Sequence, residues 1–248
     1  MPIYGIEHPN LEHEITGNDQ KRKELLGARV LKDKPGSPER YEKRKRDWPY
    51  SDAHMKDIEA DFTSLFPQKG ENFIDKRIKE TGKQQVVLDW GCGKGFSSEE
   101  FGKKYGDNIR SIGYSMDSYE EWENFKNSTL IQCTADNLFD YLKKVGPIDL
   151  VYSRVGLVYL FPGASATEKV PLERGVDYIA RLLDHVSEGG VIAFDIGQQQ
   201  AVIAKKALEE RMKGKARIYL DDQNLEGEHY IYITKQDGQK EAEINIAL

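Results

Sequence analysis

The sequence predicts an α/β fold organised around a seven-stranded, mostly parallel sheet, and three observations support this. Short apolar segments alternate with helix-favouring segments from about residue 86 onward, which is the pattern of strand–helix–strand units with right-handed crossovers. Glycine or proline separates most of these segments, as expected at element boundaries. The last two predicted strands are joined by only eight residues, too few for a parallel crossover, so we expect the final strand to be antiparallel to its neighbour.

The segment before the first strand divides into an arm and two helices. Residues 1 to about 50 are polar and contain five prolines, with only a short periodic segment at 19–26, so we expect an arm laid over a domain. From Ser51 onward, apolar residues recur at helical spacing as far as Leu65, and either Ser51 or Asp52 can cap this helix. A second helix is predicted over 72–80. We therefore divide the chain into an N-terminal arm with covering helices, 1–82, and a core, 83–248.

The core elements follow in regular order. Strands and helices alternate after the first strand, and Gly189-Gly190 is predicted to be the turn that leads into the fifth strand. The predicted strands are 86–89, 109–114, 128–133, 148–153, 191–196, 216–220 and 229–234, and the predicted helices are 96–104, 119–126, one ending near 145, 169–186 and 199–213.

Composition excludes several classes of protein. With 38% hydrophobic and 31% charged residues, the 248-residue chain is typical of one soluble α/β domain with an extension. Its apolar segments are far shorter than the roughly 18 residues of a membrane span, and its N-terminus does not have the pattern of a signal peptide. We therefore expect a cytoplasmic protein that does not contact membranes.

Charge and cysteine content limit the partners. The formal net charge of −6 gives no long-range attraction to phosphate backbones, so nucleic acid would need a local basic patch. Cys92 and Cys133 are the two cysteines, too few for a disulfide framework or a thiolate metal site, and we expect both to be reduced. Histidine, aspartate and glutamate show no familiar metal-ligand spacing, so we expect no bound metal.

Residues 86–95 carry the strongest chemical signal. An apolar strand leads into Asp89, and glycine then occupies every second position before a helix-favouring segment. Glycine permits positive φ and lets backbone N–H groups approach a ligand, while the helix N-terminus adds partial positive charge. A dinucleotide fingerprint would need glycine where Phe96 stands, so the pattern is DxGxGxG rather than GxGxxG. The segment therefore predicts a nucleotide-cofactor loop of another class.

With this motif the chain resembles the class I S-adenosylmethionine-dependent methyltransferases, whose first motif has this form. A carboxylate at Asp89 suits a cofactor that carries an ammonium and a sulfonium group. The resemblance covers about residues 84–235 and implies a Rossmann-like sheet with helices on both faces. It also implies that Gly91, Cys92 and Gly93 present their backbone to the methionine half of S-adenosylmethionine, with the Cys92 side chain as a small filler.

The ends of the next strands supply the other implied cofactor contacts, because ligands of such sheets bind outside the carboxyl ends of the strands. Ser115, followed by Met116, stands where the family usually has an acidic ribose-binding residue, and the serine departs from that pattern. Asp117 is either a further contact or a helix cap.

After the third strand, Asp136 stands where relatives have a carboxylate that accepts a hydrogen bond from the adenine amino group, and the resemblance places Asn137 beside the adenine ring. Asp136 can also cap a helix. Ser153 ends the fourth strand and is the last implied cofactor contact.

The catalytic residues are less well defined. Methyl transfer needs a general base only when the nucleophile is protonated at neutral pH. His54, in the covering helices, is a weak candidate, and a surface or core role is favoured for it. Arg154 is the other candidate, since it can bind a carboxylate of substrate or cofactor or form a structural ion pair.

Three functions remain open from the sequence. The leading hypothesis is methyl transfer from S-adenosylmethionine to a small-molecule acceptor. The alternatives are an RNA methyltransferase docked through the basic run 40–46, and a cofactor-binding module without catalysis, which Ser115 keeps open. The sequence predicts neither the acceptor atom nor the oligomeric state.

Overall fold

The structure is a computed structural model that describes residues 52–154, 156–161, 172–221 and 228–236. The predicted arm, with its periodic segment at 19–26 and the basic run 40–46, lies outside these residues.

Seven strands within the described residues form one sheet in the order β3-β2-β1-β4-β5-β7-β6. β1 to β5 pair with one another in parallel, whereas β7 lies antiparallel between β5 and β6. The predicted fold class, with its reversed final strand, is confirmed. The strands are β1 (Gln85–Trp90), β2 (Ile109–Ser115), β3 (Thr129–Gln132), β4 (Ile148–Ser153), β5 (Val186–Gly197), β6 (Ala216–Asp221) and β7 (Glu228–Lys235).

Helices cover both faces of the sheet, because consecutive strand residues point to opposite sides. In β1, Leu88 and Trp90 belong to one core cluster, while Val87 belongs to the other. No helix within the described parts of the chain is long and apolar enough to cross a membrane. On the Val87 face lie α1 (Met55–Asp61), α2 (Phe73–Thr81) and α3 (Phe96–Tyr105), and on the opposite face lie α4 (Ala135–Val145), α5 (Leu172–Asp184) and α6 (Gln198–Arg211).

The start of α1 differs from the prediction. His54, rather than Ser51 or Asp52, is the N-cap residue, and its backbone N–H donates to Asp57 Oδ2. The helix ends at Asp61, and the apolar pattern continues beyond it because Phe62 and Leu65 are buried in the following turn.

The predicted helix 119–126 is wrong, since this segment forms a short 3-10 helix over Glu120–Asn124. Trp122 is only 2% exposed and packs with Cys92 and Leu130. The connection packs this ring against the loop and β3 before β3 begins at Thr129, and this packing accompanies a short 3-10 helix instead of a regular α-helix.

The predicted turn at Gly189-Gly190 is also wrong, because both glycines lie within β5. The pairing of β4 with β5 shifts between Ile148↔Val186 and Leu150↔Val191. β5 therefore has three more residues than β4 over this interval, and Gly189, at φ +69°, accommodates the resulting bulge.

Candidate functional site

The candidate site lies where the chain order of the sheet reverses. β1 pairs with β2 on one side and β4 on the other, which places a crevice beyond the carboxyl end of β1. Residues 91–95, the glycine loop, connect β1 to α3 at this point. The DxGxGxG motif thus occupies the usual ligand position of an open α/β sheet.

All three glycines of the loop have positive φ: +90° at Gly91, +53° at Gly93 and +79° at Gly95. A Cβ atom on Gly91 would lie 3.1 Å from the Cα atom of Gly156, and one on Gly95 would lie 3.0 Å from Leu130 Cδ1. The positive φ favours glycine at these two positions, and the close neighbours would add crowding to any larger residue.

Some backbone N–H groups of the loop donate hydrogen bonds within the fold, and others do not. The N–H groups of Gly91 and Cys92 donate to Tyr114 O at 2.8 and 2.9 Å, and Gly95 N–H donates to Cys92 O at 2.8 Å. The N–H groups of Gly93 and Lys94 meet no acceptor among the described residues. The predicted contacts at Gly91 and Cys92 therefore have their N–H groups engaged within the fold, and those of Gly93 and Lys94 remain for a ligand.

A buried tryptophan packs against the loop and donates a hydrogen bond to it. Trp122 Nε1 donates to Gly93 O at 3.0 Å, and its ring packs with Cys92 and Leu130. Burial, with a smaller contribution from the nearby Asp89 charge, raises the pKa of the Cys92 thiol well above its usual value, so this side chain is a neutral filler. Sequence reasoning missed Trp122, and an isolated tryptophan among the acidic residues 120–123 was the signal available.

Asp89 joins β1, α3 and β4 beneath the loop. It is 4% exposed, and its Oδ2 atom accepts hydrogen bonds from Ser97 Oγ at 2.5 Å, Tyr152 OH at 3.0 Å and Ser98 Oγ at 3.2 Å. Burial raises the pKa of Asp89 to about 6, although these hydrogen bonds act in the opposite direction. The Oδ1 atom accepts no hydrogen bond from any described residue. The three donors were not predicted from the sequence.

Ser115 and Met116 end β2 beside the loop. Ser115 follows Tyr114, the residue whose carbonyl holds the loop, and its Oγ accepts a hydrogen bond from Asp117 N–H at 3.2 Å. Met116 is partly buried against the larger core cluster. The structure thus places both predicted residues at the crevice, with the Ser115 hydroxyl already engaged in a local turn.

Ser153 and Arg154 make internal contacts at the end of β4. Ser153 is fully buried; its Oγ donates to Trp90 O at 2.7 Å and accepts from Leu157 N–H at 2.8 Å. Its hydroxyl therefore joins β4 to β1. Arg154 Nε lies 2.5 Å from Asp61 Oδ2, and both side chains are largely buried, so the structural ion pair foreseen as one alternative is present.

Asp136 and Asn137 lie in the first turn of α4, beyond β3. Thr134 caps this helix by accepting a hydrogen bond from Asn137 N–H at 3.3 Å, so the alternative of Asp136 as a cap is wrong. Asp136 is exposed and its Oδ1 lies 2.9 Å from Arg181 Nη1 of α5. A role in adenine binding stays a prediction for both residues.

His54 lies against the start of α3. Its ring stacks on Phe96 with centroids 4.8 Å apart and an interplanar angle of 7°, and its Nδ1 atom lies 2.6 Å from Glu100 Oε1. The favoured surface role fits these contacts. Among the described side chains, no group of three or more His, Cys, Asp or Glu residues could hold a metal ion.

No protein-family model matches the sequence, and a search of curated proteins finds no match. Several solved structures nevertheless have a similar fold. The plantazolicin methyltransferase BpumL, solved with a pentazolic desmethylPZN analog and S-adenosylhomocysteine (SAH), is 10% identical, with 90% of this chain and 99% of that chain covered and a TM-score of 0.58. The chain has the class I methyltransferase fold.

Two further solved structures with this fold are less similar. DhpI in complex with SAH is 14% identical over 86% of this chain and 97% of its own, with a TM-score of 0.49. An rRNA methylase from Streptococcus thermophilus is 16% identical over 62% of this chain and 89% of its own, with a TM-score of 0.40. We base the assignment of the methyltransferase fold on BpumL.

Proposed function

We propose that this protein binds S-adenosylmethionine at the glycine loop and transfers its methyl group to a small-molecule acceptor. The observation that carries the proposal is the loop itself: glycines 91, 93 and 95 all have positive φ at the switch point of a class I methyltransferase fold. A loop of this conformation lets backbone donors approach a ligand closely.

The residues at the loop fit the chemical groups of this cofactor. Asp89 offers an oxygen, Oδ1, that accepts no hydrogen bond from any described residue, and a carboxylate suits an ammonium or sulfonium group. The N–H groups of Gly93 and Lys94 suit the cofactor carboxylate, since they have no described acceptor. Donor and acceptor groups of the loop thus match the carboxylate and the ammonium of the methionine part.

The bound cofactor would supply an already activated methyl group. The protein then has to hold acceptor and donor in line and exclude water, which effective-molarity arguments value at about 7 kcal/mol or more. Asp89, with its three hydrogen bonds to α3 and β4, contributes to this role by fixing the loop relative to two other elements.

A small-molecule acceptor is the finer part of the proposal. The net charge of −6 disfavours nucleic acid as a partner. The neighbour that carries the fold assignment, BpumL, was solved with a desmethylPZN analog, which supports an acceptor that is not a nucleic acid.

Calorimetry with SAH tests cofactor binding. We expect micromolar or tighter binding of SAH, no binding of NAD, and a loss of at least about tenfold in SAH affinity for Asp89→Asn, since the variant keeps the shape but not the charge. Binding of NAD without SAH would overturn the proposal.

Labelled-methyl transfer from S-adenosylmethionine into a cell extract, followed by mass spectrometry, tests the reaction and its acceptor. A labelled small molecule is the expected product. Labelled RNA, with binding that weakens steeply with salt, would instead support the RNA alternative. Tight SAH binding with no labelled product would support a module without catalysis.

A further inference from the structure

We propose that Lys94, Asp52 and Glu121, together called the Lys94 clamp, position the glycine loop for the cofactor. The proposal rests on the proposed function and adds to it three side chains that position the loop, one of them on Lys94, whose backbone N–H is itself an expected cofactor contact. Lys94 lies within the loop, Asp52 precedes α1, and Glu121 lies in the 3-10 helix after β2. The clamp thus joins three segments that are distant in sequence.

The geometry of the clamp is close and partly shielded. Lys94 Nζ lies 2.6 Å from Asp52 Oδ1 and 3.5 Å from Glu121 Oε1. The side chains of Lys94, Glu121 and Asp52 are 20%, 27% and 50% exposed. The hydrogen bond to Asp52 is the main cause that raises the pKa of Lys94 above its usual value. Lys94 is thus partly shielded from water, whereas Asp52 is half exposed, so the pair has a short distance but remains open to screening by salt.

Asp52 is held in place by the residues that follow it. Ala53 O accepts a hydrogen bond from Ser97 N–H at 3.1 Å, His54 stacks on Phe96, and Met55 N–H donates to Glu100 Oε2 at 2.7 Å. These three contacts fix residues 53–55 to the first turns of α3. The ion pair with Lys94 therefore does not have to immobilise Asp52 alone, which is the cost that cancels many surface ion pairs.

The clamp acts where the loop has its free donors. Trp122, next to Glu121, donates to Gly93 O, and the side chain of the following residue, Lys94, is paired with Asp52. The N–H group of Lys94 lies between these two attachments in sequence, and that of Gly93 belongs to the same residue as the first; neither meets a described acceptor. Fixing both sides of this stretch keeps the donors in one arrangement before the ligand arrives, which reduces the ordering cost of binding.

The test compares SAH affinities of clamp variants with a matched control. Glu59→Gln is the control, because Lys104 Nζ lies 3.0 Å from Glu59 Oε1 and this ion pair also joins α1 to α3, roughly 12 Å along α3 from its first residue. We expect Lys94→Met and Asp52→Asn to weaken SAH binding about tenfold, a usual size for coupling between groups, and Glu59→Gln to leave it unchanged. Lys94→Arg should restore most of the affinity.

Salt dependence gives a readout that a general loss of stability would not change. SAH has one ammonium and one carboxylate, so its own attraction to the site varies little with salt. Wild-type affinity should fall between about 0.05 M and about 0.5 M salt as the clamp is screened, and the Lys94→Met variant should show a much smaller fall. Wild-type affinity in Lys94→Met, or an equal loss in Glu59→Gln, would overturn the proposal.

Hydrogen exchange without ligand separates this proposal from the proposed function. Failure of the wild-type protein to bind SAH would overturn the proposed function alone. In the ligand-free protein, amides of residues 91–95 should exchange faster in Lys94→Met than in wild type or Glu59→Gln, because the loop opens locally. Equal exchange in all three proteins would overturn the clamp whatever the ligand is.

Discussion

Trp122 donates its indole N–H to the carbonyl oxygen of Gly93 at 3.0 Å. This bond joins the turn after β2 to the middle of the glycine loop, and it directs the Gly93 carbonyl inward. The conformation of the loop is therefore fixed by a residue 29 positions away as well as by its glycines.

Trp122→Phe tests this support. The variant keeps an aromatic ring but leaves Gly93 O with only the weak contact from Cys92 Sγ at 3.7 Å, so we expect a loss of about 1 kcal/mol in the free energy of unfolding. Weaker SAH binding should accompany it. Trp90→Phe is the control, because it makes the same replacement at another buried tryptophan, one that does not donate to Gly93 O. Urea unfolding and calorimetry measure both effects, and unchanged SAH affinity in Trp122→Phe would contradict the role of the bond.

Asp89 should make stability depend on pH. Burial raises its pKa from 3.8 in the unfolded chain to about 6 in the fold, so the folded state binds the proton more tightly. The resulting stabilisation is present below pH 3.8 and is lost as the pH rises through about 6. A shift of this size corresponds to about 3 kcal/mol.

Asp89→Asn removes this titration. Other carboxyl groups titrate in both proteins, so the difference between wild type and variant isolates Asp89. We expect the free energy of unfolding of wild type to fall relative to the variant between pH 4 and pH 6, as measured by urea unfolding at closely spaced pH values. Parallel curves over this range would show that burial of the Asp89 charge is not unfavourable.

Gly93→Val should abolish SAH binding. Gly93 has φ +53°, a conformation that costs an ordinary side chain about 1–2 kcal/mol and a β-branched one more. Gly214→Ala is the control, because Gly214 has φ +75° but its Cβ would meet nothing within 4 Å. We expect both variants to lose stability, and only Gly93→Val to lose SAH binding by calorimetry. Equal SAH affinities in the two variants would count against a ligand at the loop.

The Arg154–Asp61 ion pair should be structural. Arg154→Met leaves the carboxylate of Asp61, whose side chain is 15% exposed, without this cation, so we expect a loss of about 3 kcal/mol. The double variant Arg154→Met/Asp61→Leu should recover most of this loss. Thermal and urea unfolding measure the stabilities of the wild type, the single variant and the double variant. SAH affinity, measured where all of these proteins are fully folded, should not change. A large loss of SAH affinity with normal stability would instead place Arg154 in the cofactor site.

Local pattern was sufficient for the order of the elements. Strands and helices differ in the period of their apolar residues, and this period is a property of each segment alone. It failed where packing overrides the local signal, as at Gly189 inside the bulge of β5 and at Trp122, whose burial prevents a regular helix.

Sequence by itself determined the position of the glycine loop, its place directly after the carboxyl end of β1 and the antiparallel direction of the last strand. Each of these depends on a short segment, because positive φ at glycine and the length of a connection are local constraints. Only the tertiary structure decided which side chains act on that loop. Asp89 bonds to Tyr152, 63 residues away, and Lys94 pairs with Asp52, because such contacts depend on how strands register and helices pack rather than on neighbours in the chain.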